Sequence, residues 1–108
     1  MTRKAYLSGP ITNNPNYGLD FKYWATKIRA FLGENWQLIV PTELPHDHER
    51  TWEAYMEECL GAMDGVEILF LMPGWEASEG AKLELEKAKR DGECVIVEIY
   101  FDKKLNLV

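Results

Sequence analysis

The sequence lacks any apolar stretch of about 20 residues, so no segment is expected to cross a bilayer as a helix. Cysteine is scarce: Cys59 and Cys94 are the only two, and their separation matches neither a metal-binding pair nor a secreted disulfide framework. A reduced, cytoplasmic setting follows as the expectation. Basic residues are outnumbered, 12 against 18 acids, for a net charge of −6. Clustered Lys and Arg are what grip a phosphate backbone, so a nucleic-acid polymer is excluded as a partner, while a small anion at a helix N-terminus is not. Histidine occurs twice, as His46 and His48 beside acids, with no third or fourth ligand at a convincing spacing; neither a metal nor a cofactor is expected. No repeat or low-complexity run appears, and Met1-Thr2-Arg3-Lys4 leads straight into a short strand instead of a signal-peptide core. With 108 residues, 46% of them hydrophobic, the chain can bury one core, and residues 1–108 read as a single domain.

What is present alternates strand and helix. Lys4 to Ser8 reads as a first strand broken at Gly9-Pro10, where glycine lets the backbone double back and proline ends the ladder. A helix follows from about Leu19 to Leu32, with Phe21, Trp24, Ile28 and Phe31 or Leu32 at helical spacing for the core. Trp36 to Val40 is the second strand. The loop from Thr42 to Thr51 lies after that strand, which brings His46 or His48 to the edge where ligands bind. Trp52 to Met63 is a second helix, and Val66 to Met72 a third strand, so continuously apolar that both of its faces should be covered. A helix through Arg90 and a last strand from Cys94 to Tyr100 complete a four- or five-stranded parallel sheet with helices on both faces. The fold class expected is α/β, a Rossmann/flavodoxin-like three-layer sandwich.

The junction after the third strand, Pro73-Gly74-Trp75-Glu76-Ala77-Ser78-Glu79-Gly80-Ala81-Lys82-Leu83-Glu84, carries the chemistry. It sets the free N–H groups of a helix start at the carboxyl edge of the sheet, with Ser78 to cap the helix or bind an anion and Gly80 where something must approach closely. On the helical wheel Ala77, Ala81, Leu85 and Ala88 form the apolar stripe, and Glu84 falls at its border. There it is either a carboxylate beside a pocket, kept ionised by the helix dipole, or a solvated glutamate paired with Lys87.

Gly74-Trp75-Glu76-x-Ser78-x-Gly80-Ala81-x-x-Glu84, together with Tyr6-Leu7-Ser8-Gly9-Pro10-Ile11, resembles the nucleoside 2-deoxyribosyltransferase superfamily, in particular its short members common in phage genomes. The resemblance spans nearly the whole chain. It implies that Glu84 attacks the anomeric carbon of a nucleoside or nucleoside 5′-monophosphate, that Ser78 marks the substrate site six residues earlier, and that the Tyr6 phenol orients the nucleophile; the residue-level alternative for Tyr6 is a core tyrosine. Ser8, Gly9, Pro10, Trp75, Gly80 and His46 are the accompanying substrate-binding candidates. The superfamily's second acid falls at Cys59, beside Glu58, so Glu58 is the candidate substitute and a loop histidine the other source of a proton. The activity implied is that of an N-glycosidase or deoxyribosyltransferase, with a nucleotide-binding module that has lost turnover as the alternative. The resemblance further implies a homo-oligomer, a dimer or higher, packed through the tail after Asp102 and through Trp52 or Trp75.

Overall fold

A computed structural model describes residues 2–11, 14–44 and 51–100. Four strands, β1 (Arg3–Ser8), β2 (Trp36–Ile39), β3 (Ile68–Leu71) and β4 (Val95–Glu98), alternate with α1 (Tyr17–Leu32), α2 (Trp52–Ala62) and α3 (Glu79–Asp91). The sheet is parallel throughout, in the order β2-β1-β3-β4. The expected α/β sandwich is thus observed, with four strands.

The order explains the layers. From β1 the chain steps outward to β2, then crosses back over β1 to β3 and continues to β4. Crossovers of one hand place their helices on opposite faces when the direction of travel reverses. Accordingly α1 lies on one face, where Phe21, Trp24, Ala25 and Ile28 pack with Ala5, Leu7, Leu38 and Phe70. On the other face Tyr6, Leu69 and Leu71 pack with Met63 at the end of α2 and Ala88 of α3. Successive residues of a strand point to opposite faces, so Ala5 and Leu7 serve the first core, while Tyr6 and Ser8 point to the second.

Helix ends follow local chemistry. The Thr51 hydroxyl accepts from the Ala54 N–H to start α2, the Ser78 hydroxyl accepts from the Ala81 N–H to start α3, and Gly92 at φ +80° ends α3 in the left-handed conformation. Asp64 and Asp91 both pair with Lys87, which answers the expected Glu84–Lys87 pair: the lysine is engaged elsewhere.

Coverage is uneven. A helix is about 10 Å wide and four strands span about 19 Å, so α1 alone leaves part of its face open. It packs closely on β2, and on β4 the same face shows Val95 at 59% and Val97 at 36% exposure. Phe31 also points outward at 81% exposure, so the core position belongs to the half-buried Leu32. The third strand is buried as its composition implied, whereas the last is an exposed edge and Cys94 lies just before it.

Candidate functional site

The reversal of direction falls between β1 and β3. Adjacent strands whose connections leave in opposite directions open a crevice at their carboxyl ends, where ligands of open α/β sheets bind. The loops leaving these two strands touch: Pro10 Cγ lies 3.6 Å from where a Cβ on Gly74 would stand, and Gly74 itself takes φ +89°, left-handed backbone that favours glycine. The close approach at Gly9 has a different cause from the turn expected. Its φ is not positive, and a Cβ there would lie 2.6 Å from Met72 Sδ and 2.9 Å from Met72 Cβ, so glycine is required by packing between the two strand exits.

Into this crevice α3 directs Glu84. Glu84 is 4% exposed, and both carboxyl oxygens accept hydrogen bonds from β1: Oε2 from the Tyr6 hydroxyl and Oε1 from the Ser8 hydroxyl at 2.7 Å. These donors stand 78 and 76 residues away in sequence. The position at the border of the wheel is therefore the centre of the buried face: Ala81, Glu84 and Ala88 are buried, Leu85 is half-buried, and Ala77 is exposed in a 3-10 turn (Trp75–Ala77) before the helix. Of the two readings of Glu84, the solvated one is overturned.

Burial also reverses the expected charge preference. Loss of water pushes the Glu84 carboxyl up to about 7, against the lowering effect of the Tyr6 and Ser8 hydrogen bonds. The helix dipole does not keep it at the ordinary value. Tyr6 is fully buried, and burial together with the Glu84 charge holds its phenol well above the usual range, so it stays a donor.

The remaining candidates divide. Ser78 is nearly buried, its oxygen capping α3 at 3.1 Å from the Ala81 nitrogen. Gly80 is approached closely by a protein atom: a Cβ there would meet Met56 Sδ at 3.0 Å. Pro10 is half-buried, and Trp75, also half-buried, packs on the core beneath α2 and α3. Glu58 is half-buried on α2, and its charge acts on its neighbour Cys59, while Glu84 takes its hydrogen bonds from Tyr6 and Ser8. His46, His48 and the tail after Asp102 lie outside the described residues. Among the described residues no group of three His, Cys, Asp or Glu could hold a metal ion, and no helix is long and apolar enough to cross a membrane.

Residue-level reading missed the role of Ser8 as a direct partner of Glu84. The alternation of β1 was the available signal for Ser8, because it puts Ser8 on the same face as Tyr6.

Fold and site together define a small parallel α/β domain with a buried, doubly hydrogen-bonded glutamate at its switch point. Residues 3–97 match the family described as a domain of unknown function, DUF4406, and the chain belongs to that family. No curated protein matches the chain.

Proposed function

We propose that the protein cleaves the N-glycosidic bond of a nucleoside or nucleoside 5′-monophosphate, as an N-glycosidase or 2-deoxyribosyltransferase, with Glu84 as nucleophile. The observation that carries this reading is the Glu84 carboxyl, fixed at the β1/β3 crevice by Tyr6 and Ser8. A carboxylate whose oxygens are both held has few orientations to lose on reaching the reactive geometry. The resemblance to the nucleoside 2-deoxyribosyltransferase superfamily supplies the substrate class.

In this mechanism the ionised Glu84 attacks C1′ of the sugar as the bond to the base breaks, and the base leaves with the electron pair and collects a proton. Water, or a second base, then attacks C1′ of the glycosyl ester and releases the carboxylate. Ser78 and the N–H groups of the α3 start face the sugar's 5′ end. The proton comes from Glu58, from a histidine such as His46, or from water. A second copy of the chain is the expected partner, and the cytoplasm of a bacterial or phage-infected cell the setting.

Incubating the protein with a panel of nucleosides and 5′-monophosphates should release free base. Glu84→Gln keeps the shape and removes the nucleophile, and base release should drop by about three or more orders of magnitude while binding persists. Base release by the wild type should fall below about pH 7 as Glu84 takes up its proton. A 2-fluoro nucleoside should leave an adduct that mass spectrometry places on Glu84. Equal rates for the two proteins would end this reading. One observation favours a binding module without turnover: a thiol, Cys59, stands where the resemblance calls for a second acid. Nucleotide binding with no base release from any substrate would establish that alternative.

A further inference from the structure

Glu84 accepts from two donors, and bonding to a sugar would make its two oxygens unequal. In the carboxylate the oxygens share the charge, so the Tyr6 hydroxyl on Oε2 and the Ser8 hydroxyl on Oε1 both make charge-assisted bonds. Once one oxygen is joined to C1′ it becomes the bridging oxygen of an ester, a poor acceptor, while the other keeps carbonyl character and goes on accepting. One donor therefore serves both states, and the other serves the free carboxylate alone.

Position along β1 separates the two. Ser8 is the last residue of the strand, and Tyr6 stands two residues earlier, about 7 Å nearer the interior of the sheet. Both are fully buried. The Ser8 backbone is held where it stands: it pairs in register with Leu71, its carbonyl accepts from the Met72 N–H at 2.8 Å, and Met72 packs against Gly9 immediately after it. From so fixed a backbone a single rotatable bond sets the hydroxyl, which meets Oε1 at 2.7 Å. Ser8 thus holds its oxygen from the strand's exit, where the crevice opens, and Tyr6 holds the other from the inner side.

We infer that Oε1 is the oxygen of Glu84 that attacks, and that Ser8 is a positioning residue for the second half of the reaction, holding Oε1 as it is expelled from the glycosyl ester. The inference rests on the nucleophile reading given above. In the first half a lone pair of Oε1 forms the bond to C1′ while the pair of the C1′–N bond leaves with the base, so Oε1 gives up charge and the Ser8 bond weakens. In the second half water bonds to C1′, the pair of the C1′–Oε1 bond returns to Oε1, and the water's proton passes to the group that protonated the base. Charge then reappears on Oε1 under a hydroxyl already aimed at it, which costs no reorganisation at the moment of reaction. Tyr6 stays on the carbonyl oxygen Oε2 throughout. The Ser8 bond opposes the first half and assists the second, and in its absence the ester should collect.

The experiment follows the ester. A 2-fluoro analogue of the nucleoside or 5′-monophosphate that releases base is mixed with the full-length protein at about pH 9, where Glu84 is ionised, and mass spectrometry follows the fraction of chain carrying the sugar as it forms and decays. Ser8→Ala should form the adduct at least as fast as wild type and lose it about 10- to 100-fold more slowly, the share of one hydrogen bond to a charged oxygen. With the unmodified substrate it should release a burst of a single base per chain and then turn over slowly, so that kcat and KM fall together while kcat/KM holds. Ser8→Thr, which keeps the hydroxyl, should restore the wild-type decay, and Tyr6→Phe should slow both halves without a burst. Without substrate, the Glu84 carboxyl carbon, in protein labelled with 13C-glutamate and assigned by the signal lost in Glu84→Gln, should titrate about one unit higher in Ser8→Ala. A merely structural role for Ser8 would slow both halves alike, and that result, or a burst in Tyr6→Phe in place of Ser8→Ala, would overturn the inference. Should Ser8→Ala not fold, Tyr6→Phe still decides which donor holds the departing oxygen. A wild type that forms no adduct ends the enzyme reading and this inference together, whereas a wild-type adduct whose decay Ser8→Ala leaves unchanged ends the inference alone.

Discussion

The two faces of the sheet are built from the same strands and differ in what they spend their burial on. On the α1 face, Ala5 and Leu7 of β1 meet Phe21 and Trp24, and packing is apolar. On the opposite face the alternating positions Tyr6 and Ser8 hydrogen-bond an ionisable carboxyl, that of Glu84. One face is a conventional core, whose stability scales with apolar area removed from water. The other accepts a desolvation cost at Glu84, offset in part by two hydrogen bonds. The apolar core and the buried carboxyl are thus separated by a single step along β1, and substitutions on the two faces should be read by different instruments.

Phe21→Ala should break the first face and spare the second. Phe21 is fully buried, so truncation should cost about 3–5 kcal/mol, measured by urea unfolding. The Glu84 titration should stay near its wild-type midpoint in the folded protein, which would sharpen the contrast; a large shift there would erase it.

The next effect concerns pH. The folded Glu84 carboxyl titrates at about 7, above the ordinary 4.5, so the folded state binds the proton more tightly than the unfolded chain does. Its contribution is full below about pH 4.5 and is lost as pH rises through about 7. Across that window the loss is about 3 kcal/mol, and it should disappear from the stability profile of Glu84→Gln measured by the same unfolding experiment. On the mechanism proposed above, catalysis and stability pull in opposite directions, since the proposed nucleophile must be ionised.

The smallest effect lies where the faces join. Gly9→Ala places a Cβ against both Sδ and the stiffer Cβ of Met72, and should cost about 1–3 kcal/mol by thermal unfolding. Gly80→Ala meets only the movable Met56 sulfur, and better helix propensity offsets the contact, so it should be near neutral. Equal losses at both glycines would contradict this account.

Local pattern made much of this legible. The apolar run before Pro73, the helical spacing of Phe21, Trp24 and Ile28, and the Ser78 cap each express short-range physics, and the strands and helices stand where those signals put them. Glu84 illustrates the limit. On a wheel it borders the apolar stripe, and its burial comes from Tyr6 and Ser8, whose approach depends on the order β2-β1-β3-β4 and not on any spacing within α3. The resemblance marked Glu84 and Tyr6 as a site, while the pairing of Ser8 with the carboxyl required the tertiary contact itself. Gly9 and Gly80 show a related limit: the sequence signals a close approach, but only packing shows that the approaching atoms are thioethers.

Those two thioethers tie the crevice to oxidation chemistry. Met72 holds the exit of β1 through Gly9, and Met56 holds the first turn of α3 through Gly80. Each sulfur occupies space that a glycine leaves free. Conversion to the sulfoxide adds an oxygen and a dipole to an atom with no room on that side, so an oxidised side chain has to leave its contact. Met72 lies between the exits of β1 and β3, and Met56 between α2 and the start of α3, so oxidation of either would press on the elements that carry Tyr6, Ser8 and Glu84.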